Sequence, residues 1–117
     1  VSFISLRLIL PALRPLMKER GELVCLIKPQ FEAGREKVGK KGVVRDRAVH
    51  LEVLEQFLRH AADCDFFVKD VTFSPIRGPE GNSEYLGHLT VREQPPYQGD
   101  LKALVEASHQ NLEETAP

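Results

Sequence analysis

No stretch of this chain approaches the roughly 18 consecutive apolar residues that a membrane-spanning helix requires. The best run, Leu8 to Leu13, is short and carries Pro11. A secretory leader is not expected either, because Val1 to Leu13 has no charged leading region and no small-residue cleavage site. Cysteine is scarce: Cys25 and Cys64 are the only two, far apart and outside any metal-ligand spacing. Reduced, buried thiols of a cytosolic protein are therefore expected, rather than a disulfide or a catalytic thiol. The histidines His50, His60, His88 and His109 are scattered, with no HxxxH or CxxC partner, so no metal site is expected. Net charge is only −1, which argues against a general nucleic-acid binder. There is no internal repeat.

What is present fits one small α/β domain. A chain of 117 residues supplies a single hydrophobic core and not two. It opens at Val1, inside an apolar segment and without a methionine, so a fragment of a longer protein is expected. Charge is unevenly spread. Between Arg35 and Arg47, the basic residues Arg35, Lys37, Lys40, Lys41, Arg45 and Arg47 face only Glu36 and Asp46. From Asp100 onward the balance reverses, with Lys102 against Asp100, Glu106, Glu113 and Glu114. A local basic loop can contact phosphates even in a neutral domain, although a solvated connection explains it equally well.

Hydrophobic periodicity orders the elements. Leu6, Ile9, Leu10, Leu13 and Met17 share a helical face, with kinks expected at Pro11 and Pro15 and an end at Arg20-Gly21. The continuous apolar run within Glu22 to Ile27 suits a strand covered on both faces. Residues 28–45 lack periodicity and hold Gly34, Gly39 and Gly42, which reads as a long loop. Asp46 caps a second helix, whose buried stripe is Leu51, Leu54, Phe57, Leu58 and Ala61 and which ends near Asp63. Phe66 to Ser74 and Tyr85 to Val91 read as strands joined by a turn-rich segment. A short amphipathic helix capped by Asp100 carries Leu101, Leu104, Val105 and Leu112 on one face.

This order predicts an α/β fold, the last part of a Rossmann-type doubly wound sheet ending in an antiparallel strand pair. The link between the last two strands is too short for a parallel crossover. In such sheets, sites form at the carboxyl ends of the parallel strands. Lys28 follows strand 22–27 at that edge, and Glu84 begins the antiparallel strand at the same edge. Taken alone, each is more often a solvated strand end or a turn residue than a catalytic group.

The neighbouring sequence raises both. Val1-Ser2-Phe3-Ile4-Ser5-Leu6, then Leu26-Ile27-Lys28-Pro29-Gln30-Phe31-Glu32-Ala33-Gly34, then Ser74-Pro75-Ile76-Arg77-Gly78-Pro79-Glu80-Gly81-Asn82-Ser83-Glu84-Tyr85 occur in this order. The chain thereby resembles the TlyA family, often labelled hemolysin A, among the FtsJ-like ribosomal RNA methyltransferases. The resemblance covers residues 1 to about 92 and implies a class I methyltransferase domain over residues 1–93, followed by a tail over 94–117.

It also implies a Lys-Asp-Lys-Glu tetrad that methylates a ribose 2′-hydroxyl of ribosomal RNA with S-adenosylmethionine as donor. The second lysine maps onto Lys28 and the glutamate onto Glu84. The aspartate, the first lysine, the glycine-rich donor loop and an S4-like RNA-binding domain precede Val1 in the family's pattern. The 117 residues alone are therefore expected to be inactive. Ser2 and Phe3 are candidates for the donor pocket, though core packing explains Phe3 equally well. Candidate RNA contacts are Phe31, which could stack on a flipped base, and Arg35, Lys37, Lys40, Lys41 and Arg45.

The chemistry suits the residue types. A ribose hydroxyl holds its proton tightly, and a lysine amine beside it can take that proton or orient the oxygen. A carboxylate can position both lysine and sugar. A cytoplasmic location is expected, with ribosomal RNA as partner, no membrane association, and self-association of the fragment through an exposed sheet edge. The rival readings are a non-catalytic RNA-binding scaffold of the same fold and, with nothing in the sequence to support it, a membrane-active hemolysin.

Overall fold

A computed structural model describes residues 6–19, 21–32, 46–74 and 83–115. Helix α1 (Leu6–Leu13) runs into a 3-10 turn (Arg14–Leu16) and strand β1 (Glu22–Ile27). The short helix α2 (Pro29–Glu32), the long helix α3 (Arg47–Asp63), strands β2 (Phe67–Phe73) and β3 (Tyr85–Thr90), and helix α4 (Leu101–Thr115) follow. The strands lie in the order β1-β3-β2. Because β3 is antiparallel to both neighbours, β1 and β2 run parallel to each other with β3 inserted between them. This is the antiparallel ending expected from the sequence.

The first helix stops earlier than its apolar spacing predicts. Pro11 and Pro15 each lack the N–H that would extend the ladder. The chain tightens into the 3-10 turn, and Met17 turns extended with its N–H on the Arg14 carbonyl at 3.2 Å. Gly21 therefore closes a separate turn onto the Lys18 carbonyl at 2.8 Å and does not cap a helix reaching Arg20.

Helix α3 starts where expected. Asp46 Oδ1 accepts the Ala48 N–H at 2.8 Å, satisfying one of the helix's orphan donors. The buried stripe is His50, Val53, Leu54, Phe57 and Ala61. Leu51 and Leu58, expected inside, are only half-buried. At its far end the Phe66 N–H reaches the Ala61 carbonyl (2.9 Å) and the Asp65 N–H reaches that of Ala62 (3.1 Å). This is a Schellman closure, with Asp65 in the left-handed region at φ 61°.

One face of the sheet carries the core. Leu23, Cys25 and Ile27 of β1 lie beside Leu89, Gly87 and Tyr85 of β3 in register. Helix α3 packs on this face so closely that a Cβ on Gly87 would sit 2.5 Å from Phe57 Cζ and 3.2 Å from Ile27 Cδ1. Gly87→Ala is therefore expected to destabilise the chain by roughly 1–3 kcal/mol through overpacking, read by urea denaturation. An unchanged denaturation midpoint would show that the Phe57 ring moves aside at no cost.

The opposite face differs from expectation. Burial along β1 alternates, with Val24 65% and Leu26 49% exposed, so among the described residues the strand is covered on one side only. The covering helices α3 and α4 both pack on the Tyr85 side. The two thiols are free, as expected. Burial pushes the Cys25 thiol up to about 11, which keeps it an inert core group. Cys64 is half-buried rather than buried.

Candidate active site

Register alone brings Lys28 and Glu84 to one place. Ile27 of β1 is paired with Tyr85 of β3, so the residue after Ile27 and the residue before Tyr85 leave the sheet at the same rim. Lys28 is half-buried there and Glu84 is 7% exposed. The Glu84 backbone is held as well, its carbonyl accepting the Ser74 N–H at 2.8 Å where β2 ends. This rim is the carboxyl end of both β1 and β2, the edge where open α/β sheets build their sites.

The segment after Lys28 is a helical turn rather than part of a loop from residue 28. Pro29 is fully buried at the first helical position, where its missing N–H costs nothing. The Lys28 carbonyl accepts the Glu32 N–H at 3.1 Å, so the turn closes directly on the lysine's own backbone. Its side chains then tie two other elements to the rim. Gln30 Nε2 donates to Glu84 Oε2 at 3.1 Å. Glu32 Oε1 accepts the Leu6 N–H at 2.8 Å, satisfying a free donor at the start of α1. The five residues Lys28 to Glu32 thus supply a cation, a fixed turn, a carboxylate clamp and a helix cap.

Gln30 and Glu32 were absent from the candidate residues read from the sequence, although both lie in the Lys28-to-Glu32 stretch that carries the family resemblance. Periodicity offers no signal for a helix of one turn. One further feature marks Gln30. Its Oε1 is buried with no hydrogen-bond partner among the described residues. An unmet buried acceptor of this kind costs roughly 1–3 kcal/mol.

Behind the rim, Tyr85 anchors a buried polar chain. Its hydroxyl lies 2.9 Å from His50 Nδ1 on α3 and 2.7 Å from Ser108 Oγ on α4. Ser108 donates to the Val105 carbonyl at 2.8 Å. His109 Nδ1 also reaches that carbonyl, at 2.9 Å, and its ring lies 4.7 Å from that of His50.

The remaining candidates separate from this core. Phe31 lies within α2, and its side chain is outside what the structure describes. Ser2, Phe3, Arg35, Lys37, Lys40, Lys41 and Arg45 lie outside the described residues. No group of three or more potential metal ligands occurs among the described residues, and none of their helices is long and apolar enough to cross a membrane.

Comparison with known proteins gives this geometry a context. The profile described as FtsJ-like methyltransferase matches residues 1–90. The Bacillus subtilis protein YqxC, provisionally named an rRNA methyltransferase, is 46% identical across 97% of the chain. The 16S/23S rRNA (cytidine-2′-O)-methyltransferase TlyA of Mycobacterium tuberculosis is 37% identical across 97% of it. In both cases the chain spans 42% of the relative's length. A solved Streptococcus thermophilus protein, provisionally titled a hemolysin, superposes with a TM-score of 0.90 at 45% identity. That match covers 97% of this chain and 42% of the other.

Proposed function

Because the chain belongs to the FtsJ-like methyltransferase family, we propose that the protein containing it methylates a ribose 2′-hydroxyl of ribosomal RNA, with S-adenosylmethionine as methyl donor. These 117 residues supply the ribose side of the site. The observation that carries the reading is the Ile27–Tyr85 register, which sets Lys28 and Glu84 on one rim at the carboxyl end of β1. Relatives named as rRNA (cytidine-2′-O)-methyltransferases support the substrate class.

In this mechanism Lys28, as the neutral amine, engages the 2′-hydroxyl, orienting its oxygen and receiving its proton as the oxygen–methyl bond forms and the methyl–sulfur bond breaks, its electron pair staying on sulfur. Glu84 holds the lysine and sugar in line, and positioning of this kind contributes much of the rate of a displacement. S-adenosylmethionine supplies an electrophilic methyl group when bound. The described rim fits a ribose, offering an amine, a carboxylate and an amide, and among its described residues there is no glycine-rich turn to cradle the donor. Ser2 and Phe3 are assigned to the donor side. Phe31, Arg35, Lys37, Lys40, Lys41 and Arg45 are assigned to RNA, the charged ones as phosphate contacts that carry no sequence information. Residues 1–93 form the catalytic-domain portion and 94–117 a tail, in a cytoplasmic protein with no membrane association.

The test is transfer of labelled methyl from S-adenosylmethionine to isolated ribosomal subunits by the full-length protein, with the product mapped to the ribose. Methyl groups found on a base, or none on RNA, would sink the reading. Residues 1–117 alone are expected to bind the donor weakly and transfer nothing. They are also expected to self-associate. Val24 and Leu26 are exposed on β1, whose outer edge has no strand partner among the described residues. Sedimentation equilibrium of this chain should show a mass that rises with concentration, and a strictly monomeric profile would contradict it.

A further inference from the structure

We propose that Gln30 is a positioning residue that pins Oε2 of Glu84, so that Glu84 turns its other oxygen to the lysine and the ribose. The inference rests on the proposed methyl transfer and deepens it, by saying which carboxylate oxygen does the work and what holds it there.

The geometry begins with the amide. An ionised carboxylate only accepts hydrogen bonds, so the group that Gln30 turns toward Glu84 must be its NH2. Nε2 lies 3.1 Å from Oε2, and Oε1 of the amide consequently faces away. That oxygen is buried and meets no donor among the described residues. A buried glutamine free to choose would turn to satisfy both ends. Here one end goes unmet while the other is kept, which is the arrangement expected when the bond to the carboxylate sets the orientation.

The surroundings make the clamp stiff. Gln30 lies on a helical turn fixed by buried Pro29 and by the Glu32 N–H on the Lys28 carbonyl. Glu32 in turn holds the start of α1 through the Leu6 N–H. Glu84 precedes Tyr85, whose side chain is fully buried, and its own carbonyl is bonded to Ser74. Both ends of the Gln30–Glu84 bond therefore stand on fixed backbone, and rotation about the Glu84 side-chain bonds is the freedom that remains. The amide restricts it. With one acceptor site of Oε2 taken, Oε1 of Glu84 keeps both of its own for Lys28 and the sugar.

The test is a double-mutant cycle in the full-length protein, read as kcat and KM for methyl transfer to ribosomal subunits. Gln30→Met keeps the side chain's length and loses the amide. Gln30→Asn keeps the amide and is one methylene too short to reach. Each is expected to lower kcat roughly 10- to 100-fold, the scale for losing a hydrogen bond to a charged group in a site, with KM little changed. Because Gln30 acts through Glu84, the Gln30→Met/Glu84→Gln double variant is expected to be no slower than Glu84→Gln. A merely structural role would lower the melting temperature and add to the Glu84→Gln loss. Additive losses, or wild-type kcat in both single variants, would overturn the inference while leaving the methyltransferase reading intact. Absence of any methyl transfer by the wild-type protein would overturn both.

Discussion

Lys28→Ala in the full-length protein is expected to lower methyl transfer to ribosomal RNA by roughly 100- to 10,000-fold, the range for removing a positioned acid–base group. Donor affinity, measured by calorimetry with S-adenosylmethionine, should stay at the wild-type value, because Lys28 faces the ribose side of the proposed site. Lys28→Arg is expected to recover little. It keeps the positive charge, but a guanidinium does not give up its proton and presents a planar fork in place of a compact ammonium. The neighbouring backbone makes a clean result attainable. The lysine's carbonyl closes the α2 turn whatever side chain it bears, and Pro29 behind it holds the turn's first position. A Lys28→Ala protein that folds normally and transfers methyl groups within a few-fold of wild type would remove the lysine from the mechanism, since a lost transition-state contact appears directly in kcat/KM.

That Lys28 and Glu84 share a rim was legible before any coordinates. An apolar strand, a strand pair joined by a short link and the rule that such a pair is antiparallel suffice to place them. The boundaries of β1 and the caps at Asp46 and Asp100 were legible for the same reason. Each depends on residues adjacent in sequence, and Asp100 Oδ1 accepts the Ala103 N–H at 3.1 Å much as Asp46 does for α3.

What escaped the sequence depends on distant partners or on what covers a surface. The run Leu23 to Ile27 looks the same whether one or both faces are covered, and only the alternation of burial shows the difference. Helix α1 has apolar residues spaced past Leu13, but two prolines remove the N–H groups that the pattern takes for granted. Helix α2 is too short for any period. Gln30 gains its meaning from Glu84, 54 positions away. The buried polar residues His50, Ser108 and His109 were passed over because a pattern of apolar residues counts a polar side chain as exposed. Their common partner Tyr85 became visible only when α3, β3 and α4 were brought together.

That partner sets the largest stability effect expected from removing a single atom. Proton bookkeeping gives the chain a direction. Ser108 spends its hydrogen on the Val105 carbonyl, so the Tyr85 hydroxyl donates to Ser108, and His50 Nδ1–H donates to Tyr85. Tyr85→Phe deletes the middle of this chain. It leaves a ring N–H on α3 and a hydroxyl oxygen on α4 without that partner, in positions 1% and 2% exposed. Taking one partner from a buried hydrogen bond costs roughly 1–3 kcal/mol, against a total stability of about 5–15 kcal/mol for a domain of this kind. A loss of about 2–4 kcal/mol in urea denaturation at neutral pH is therefore expected.

The same substitution should remove a pH response. Burial pushes the Tyr85 hydroxyl from its ordinary value of 10.0 up to about 12. A group whose pKa is raised on folding contributes stability that is fully present below its unfolded value and is lost as pH climbs toward the folded one. Wild-type stability should thus fall between pH 10 and about 12, beyond the earlier loss from the Cys25 thiol, which rises from 9.0 to about 11. In Tyr85→Phe the part contributed by this hydroxyl should vanish, while the Cys25 component and that of Tyr97, whose hydroxyl burial also raises, remain. Urea midpoints against pH for both proteins, with tyrosinate absorbance followed in parallel, measure this. If Tyr85 ionises near 10 in a chain that keeps its helical signal, the hydroxyl is not buried between α3 and α4, and the helices are held to β3 by apolar contacts alone.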